Sequence, residues 1–310
     1  MYYPYLRGKQ FELIALRDIS EKYPNCQCLC PIIEPVKYSF NGLTTAVKKM
    51  FDNEFVFALI LNPMDGEFKR GDKDIISEIP ELEASKEKWI PAFLFQDNLS
   101  AIRSIIEEKA LTDVMIIFQD GVDTEDEVLF QFLDSEAVSS IVTGHADSRI
   151  EMRKLRGLGK KLIRLDNCFN TQARNADYSI SLDEKFTEQH AFYAEESFFG
   201  FSDYTAMTNK FIDGGMLPYA VAIHLIYEKN DQQLNIHHFV SDTNDNQSNI
   251  QGKFFEAVSK ARTFFSDKFK TCAVNNLIQL LEQEKYPGLG VLKKLSIENH
   301  LELMFRILSK

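Results

Sequence analysis

Polar and ionisable residues stand just beyond short apolar runs along the first two-thirds of the chain. Arg7 and Lys9 follow Tyr2–Leu6, and Glu34 with Lys37 closes Leu29–Val36. Asn62 ends Val56–Leu61, Gln96 and Asp97 end Trp89–Phe95, and Gln119 and Asp120 end Val114–Phe118. His145 follows Val138–Thr143, Asp166 ends Lys161–Leu165, and Asp203 with Tyr204 ends Ser197–Ser202. By residue type, Lys9, Glu34, Asp120, His145, Asp166 and Asp203 are the catalytic candidates. Arg7, Asn62, Gln96, Tyr204 and His238 are the candidates for holding a substrate. Carboxylates meeting at one rim could bind a divalent cation such as Mg2+ through oxygen ligands. The ion would polarise a phosphoryl oxygen or activate water, and Arg7 and Lys9 would complement a phosphate.

Glu34 is the sharpest single candidate, inside Ile32-Ile33-Glu34-Pro35-Val36. A charge at the end of a buried strand is costly unless paired, and Lys9 or Arg7 is the expected partner. That pair either serves chemistry or only closes the top of the fold. His145 is of the residue type that serves as a general base or a metal ligand, or else fills a hydrogen-bonded loop position. His224 lies in an alternating strand, where a cross-strand partner would satisfy it. His237 and His238 must point to opposite faces, which argues against a shared metal, although with Asp242 they could form a secondary site. Cys26, Cys28 and Cys30 alternate without a nearby His or fourth Cys, so free thiols are favoured over a metal site. Gly288 and Gly290 open a helix bearing Lys293 and Lys294, either as a plain turn or as an anion cradle. No phosphate-binding loop, Gly-x-Ser-x-Gly or His-Glu-x-x-His is present.

The elements that would position these groups form a repeating pattern. Eight apolar runs from Tyr2 to about Thr205 alternate with amphipathic helices, the first with Phe11, Ile14, Ala15 and Ile19 on one side. The possible cap Asn41 precedes the second helix, and Pro80 should break the third. The pattern implies parallel strands and a TIM-barrel-like (β/α)8 fold. An open doubly wound sheet is the alternative, but Arg7-Gly8-Lys9 supplies only one glycine to its first turn. Residues 167–196 show no clear amphipathic helix and are the expected irregularity. Beyond residue 205, Tyr219–Glu228 and Leu234–Ser241 read as a hairpin, followed by three helices. The expected domains are a barrel body over 1–205 and a hairpin-plus-helix extension over 206–310.

With 310 residues and a net charge of −11, the chain is acidic, but not uniformly. Residues 251–310 carry +4 and residues 1–250 carry −15. An acidic body argues against broad nucleic-acid binding and leaves room for a local basic groove. The 25 Phe residues predict an aromatic-rich core. Five cysteines, no signal-peptide pattern and no apolar run of membrane-spanning length point to a cytoplasmic location.

The opening Tyr3-Pro4-Tyr5-Leu6-Arg7-Gly8-Lys9-Gln10-Phe11-Glu12 resembles that of the bacterial "beta protein" family. So do Pro31–Val36, Gly200-Phe201-Ser202-Asp203-Tyr204, His237-His238-Phe239-Val240-Ser241-Asp242 and Tyr286–Glu302. The resemblance spans nearly the whole chain. It implies a phage-associated or defence context, often beside a second, nuclease-like protein, without implying a reaction. The family-like positions are Arg7, Lys9, Glu12, Glu34, Asp203, Tyr204, His238 and Asp242. Two functions therefore stand open. One is a barrel enzyme acting on a nucleotide or nucleic acid, possible as a phosphodiester or nucleotide hydrolase. The other is a non-catalytic sensor, regulator or scaffold that holds the nuclease-like partner through residues 206–310.

Overall fold

Residues 1–214 and 217–309 are described by the computed structural model. Eight parallel strands form one sheet: β1 (Tyr5–Leu6), β2 (Ile32–Ile33), β3 (Phe57–Ile60), β4 (Trp89–Leu94), β5 (Val114–Phe118), β6 (Val138–Thr143), β7 (Lys161–Asp166) and β9 (Gly200–Asp203). Each pairs with its sequence neighbour, and a parallel bridge between Tyr2 and Phe201 joins the first strand to the last. Tyr3 N–H donates to the Phe201 carbonyl at 2.8 Å, and Phe201 N–H to the Met1 carbonyl at 3.1 Å. The sheet is thus a (β/α)8 TIM-barrel-like fold, not an open doubly wound sheet.

Strands buried on both faces read as unbroken apolar runs. All five residues of β5 and all four of β3 are buried accordingly. Burying each of their Val, Leu, Ile, Phe and Met side chains stabilises by about 1.5–3 kcal/mol. Between the strands lie α1 (Gln10–Lys22), α2 (Asn41–Asp52), α3 (Ile75–Glu78), α4 (Pro80–Ala84), α5 (Leu99–Glu108), α6 (Glu127–Asp134) and α7 (Arg149–Gly157). Pro80 splits the third helical segment, as its missing N–H requires. The N-cap of α2 is Phe40 rather than Asn41, which is the first helical residue.

Residues 167–196 hold a 3-10 turn (Asn175–Ser179), the strand β8 (Asp183–Thr187) and the short helix α8 (Gln189–Phe192). Strand β8 pairs antiparallel with β11 (Gln233–Val240), which pairs with β10 (Ala222–Asn230) in a separate three-stranded sheet. One face of that sheet, through Ile223, Leu225, Tyr227 and Phe239, joins a core with Phe254, Val274, Leu277 and Leu292. These last residues belong to α9 (Ile250–Phe264), α10 (Cys272–Glu282) and α11 (Leu289–Leu308).

Two compact units result, and they do not follow a single cut at residue 205. The first holds 1–9, 20–167 and 192–203, and the second holds 10–19, 168–191 and 204–310 among the described residues.

Candidate functional site

Side chains alternate in direction along a strand, and parallel register partners point the same way. Tyr3, Tyr5 and Arg7 therefore share one side of β1 and its flanks. The Tyr5 hydroxyl donates to Glu34 Oε2 at 2.7 Å and accepts from Gln119 Nε2 at 3.3 Å. Glu34 follows β2 and Gln119 follows β5, strands that are not neighbours, so the hydroxyl lies inside the barrel. The tightness of this interior shows at Gly200, where a Cβ would meet the Tyr3 ring at 2.6 Å. Register then sorts the rim residues by parity. Ser202 partners Leu165 on the inner side, and Asp203 partners Asp166 on the outer side. Asp203 Oδ1 accepts from the Tyr2 hydroxyl at 2.7 Å, and the Tyr2 ring stacks on Phe201 at 5.1 Å. Asp166 is bound by Arg164 Nε at 2.9 and 3.0 Å. Burial raises the Asp166 pKa, with Arg164 holding it back.

Glu34 is 1% exposed at the barrel mouth. Besides Tyr5, it accepts from the Met64 N–H at 3.2 Å. Burial pushes its pKa above the ordinary carboxylate range, while those two hydrogen bonds and the Arg7 charge pull it back. The Arg7 guanidinium itself reaches Asp65, Nε to Oδ2 at 2.9 Å, in the loop after β3. Arg7 thus acts on Glu34 by its field while being anchored elsewhere. A half-buried Lys9 lies two residues further on. A buried carboxyl raised in pKa is the kind of group that general acid–base chemistry uses.

On the far side of the loop Gln119-Asp120-Gly121 is a second polar pair. His145 Nδ1–H donates to Glu151 Oε1 at 2.7 Å, with His145 exposed and Glu151 buried. A Cβ on Gly121 would sit 3.0 Å from His145 Nδ1 and 3.1 Å from Glu151 Oε1. Asp120 between them is exposed. The other rim candidates do different work. Asn62 donates to the Leu94 carbonyl and accepts from the Leu94 N–H, both at 2.8 Å, extending the β3–β4 ladder with its side chain. Gln96 is exposed, and its N–H donates to Asn98 Oδ1 at 3.0 Å. Tyr204 is buried and groups with the second unit.

Beside the mouth lies a cavity of about 710 Å³, lined by Asn62, Met64, Phe68, Ile75, Ile102 and Lys109 among others. Met64 touches both, since its N–H serves Glu34. The lysines at this cavity are already paired: Lys69 with Asp65 at 3.7 Å, Lys73 with Glu78 at 2.9 Å and Lys109 with Asp74 at 2.5 Å.

The rim carboxylates do not converge on a cation. Among the described residues, no group of three or more His, Cys, Asp or Glu is arranged to hold a metal ion. Cys26 and Cys28 are free thiols with sulfurs 3.5 Å apart, and Cys30 is buried. The Cys28 contact draws the Cys26 pKa down to about 7. Gly290 lies within α11, where a Cβ would run into the Phe11 ring, so this helix start is closely packed.

His238 belongs to the second unit, whereas the rim residues Glu34, His145, Asp166 and Asp203 belong to the first. Its Nδ1 lies 2.7 Å from His224 Nδ1 across the β10–β11 register. Phe169 and Tyr178 pack edge-on or tilted against both imidazoles. His237 points to the opposite face, with Nδ1 3.3 Å from Asp183. Asp242 instead accepts from Lys260 at 2.7 Å, and Glu12 from Lys293 at 2.8 Å.

Tyr5 and Glu151 hold candidate-site side chains and are residues that strand-end reasoning passes over. Tyr5 is hidden inside an apolar run, and only the i, i+2 series Tyr3, Tyr5, Arg7 marks it. Glu151 sits on a helix six residues past His145 and becomes visible once that helix is turned against the loop. Compared with family models, with curated protein sequences and with solved structures, the chain finds no match in any of the three.

Proposed function

We propose that the chain is a barrel enzyme using Glu34 for proton transfer on a phosphate-bearing substrate, a nucleotide or a nucleic acid. The observation that carries this reading is Glu34 itself: a buried carboxyl at the barrel mouth, raised in pKa and held by the Tyr5 hydroxyl beside Arg7. In the hydrolysis of a phosphoester, Glu34 takes the proton of the attacking water and returns it to the leaving oxygen. Arg7 and Lys9 offset the phosphate charge, and His145, oriented by Glu151, is the second acid–base group. No step is routed through a metal ion. Following the beta-protein resemblance, we place this activity in phage defence, beside a nuclease-like partner.

The test is phosphate or nucleotide release from a panel of nucleoside phosphates and oligonucleotides, by wild type and Glu34→Gln. The expected result is a loss of about 100-fold or more with the melting temperature within a few degrees. Undiminished turnover in Glu34→Gln overturns the reading, and so does unfolding of that variant.

A second reading, a scaffold for the nuclease-like partner, draws on Ile212, Leu217 and Tyr219, which are 56%, 59% and 56% exposed. A stable complex through residues 206–310, indifferent to Glu34→Gln and without turnover, would favour it.

A further inference from the structure

We propose that the outer face of α7, continued by Lys161 and Phe199, is a docking track for single-stranded nucleic acid. The charge there runs against the rest of the molecule. In a chain of net charge −11, residues 149–161 hold six Lys or Arg against one carboxylate, Glu151. That carboxylate is buried against His145 on the other side of the helix and does not neutralise the outer face.

Arg149, Arg153 and Arg156 follow the i, i+4, i+7 spacing that aligns side chains along one stripe of a helix. All three are exposed and, with Ala146 and Met152, line a depression of about 360 Å³. Arg149 and Arg153 make no ion pair or hydrogen bond to any described residue. Asp147 and Glu196 pair with Arg164, at 3.5 and 3.2 Å. Arg156 is pinned: it donates to the Glu196 carbonyl at 2.8 Å and lies over the Phe198 ring at 5.7 Å.

At the helix end, Arg156 lies over Phe198, the chain neighbour of an exposed aromatic. Phe199 is 43% exposed, and the Lys161 ammonium lies 5.1 Å from its ring centroid. A cationic track ending at an exposed aromatic ring is the chemistry that binds single strands, with phosphates on the arginines and a base stacked on the ring. The arginine stripe spans about 10 Å of helix axis, the length of roughly three phosphates in a stacked strand. Arginine suits the task because its planar fork grips phosphate oxygens two at a time. The surface lies on the barrel wall and does not depend on the acid–base reading of the mouth.

The experiment is fluorescence anisotropy of a labelled oligothymidylate with the full-length protein, titrated over salt. Wild type should bind, and the double variant Arg149→Glu/Arg153→Glu should bind at least tenfold more weakly. Its slope of log K against log salt should fall by about 1.5, since each phosphate contact on a single strand contributes about 0.7. Phe199→Ala should weaken binding about tenfold with the slope unchanged. Lys229→Glu, an exposed charge reversal beside the hairpin turn, should bind as wild type does, so that a weaker complex is not a general effect of net charge. Binding unaffected by the double charge reversal overturns the proposal. A blunt duplex bound as tightly as the single strand, with Phe199→Ala silent, overturns it too.

Discussion

Burial drives the pKa of Glu34 in the barrel up and those of His224 and His238 in the second unit down, and the contrast separates a site from a staple. In both places the low-dielectric surroundings favour the neutral form. For the carboxyl, neutral means carrying a proton. The Glu34 pKa is therefore raised by burial, with Tyr5, Met64 and the Arg7 charge opposing the shift. For the imidazoles, neutral means lacking a proton. His224 falls to about 3 and His238 to about 4, with burial as the main cause and a neighbouring histidine as the next. Their shared Nδ1–Nδ1 hydrogen bond works only if one ring donates and the other accepts. Phe169 and Tyr178 fill the space where a ligand would enter. The same physics makes a proton store in one unit and a fixed cross-strand link in the other.

The two regions should respond to pH with opposite signs. A histidine whose folded pKa is depressed contributes stability that is present above its unfolded value of 6.5 and lost as pH falls toward 4 and 3. His300, lowered to about 3 by burial and then by His190, adds to the same loss. A carboxyl whose folded pKa is raised does the reverse: its contribution is present below 4.5 and lost as pH rises through the folded value. Acid therefore loosens the three-stranded sheet first. The largest expected effect is His238→Leu, which strips His224 of its partner at a cost of about 1–3 kcal/mol at pH 7. The double variant His224→Leu/His238→Leu removes both polar groups and should cost less than the sum of the singles. It should also flatten the fall in stability between pH 6.5 and 4, measured by urea unfolding. Strict additivity would show that the two rings do not act as a pair.

The next effect is smaller and probes the mouth. Tyr5→Phe deletes the one hydroxyl that holds Glu34 and Gln119 together and should cost about 1–2 kcal/mol. Because the Tyr5 hydrogen bond lowers the Glu34 pKa, its removal should raise that pKa further. Infrared titration of the protonated carboxyl reads this directly. A Glu34 titration that stays put, or moves down, in Tyr5→Phe would mean the hydroxyl does not tune the acid.

How much of this was legible beforehand follows the same physics. Strand 114–118 matches its apolar run residue for residue, because burial on both faces leaves no polar break inside it, and strand 138–143 keeps its bounds although Ser139 and Ser140 interrupt the run. Strand β8 escaped notice because Asp183-Glu184-Lys185-Phe186-Thr187 pairs on one side only. An edge strand needs no apolar run. At the site, the apolar runs located Glu34, His145, Asp166 and Asp203 at one rim. They did not say which side each would face. That depends on register through Tyr5↔Ile32 and Asp166↔Asp203, a long-range property that no single strand encodes. Arg7 finding Asp65 instead of pairing through its own anchor with Glu34 has the same origin, since the loop after β3 had no visible geometry in one dimension.

His145 lies between the two extremes, and it sharpens the comparison most finely. Its ring is 54% exposed, but its Nδ1 is fixed on a carboxylate whose side chain is only 9% exposed. Glutamine has the shape of glutamate and can keep a hydrogen bond to the ring, and one such bond contributes about 0.5–1.5 kcal/mol, so Glu151→Gln should move the melting temperature by only a few degrees. What it should change is the tautomer. With Glu151 accepting at Nδ1, the neutral ring keeps its proton there and presents Nε2 to solvent as a free base. Glutamine can offer either its carbonyl or its amide to that nitrogen, so the preference should relax toward the mixture seen in a free imidazole. Nitrogen-15 shifts of the His145 ring read the tautomer populations without any assay of activity. An unchanged Nδ1–H population in Glu151→Gln would mean the loop, and not the carboxylate, orients the ring. His145 would then belong with the enclosed histidines of the sheet rather than with Glu34.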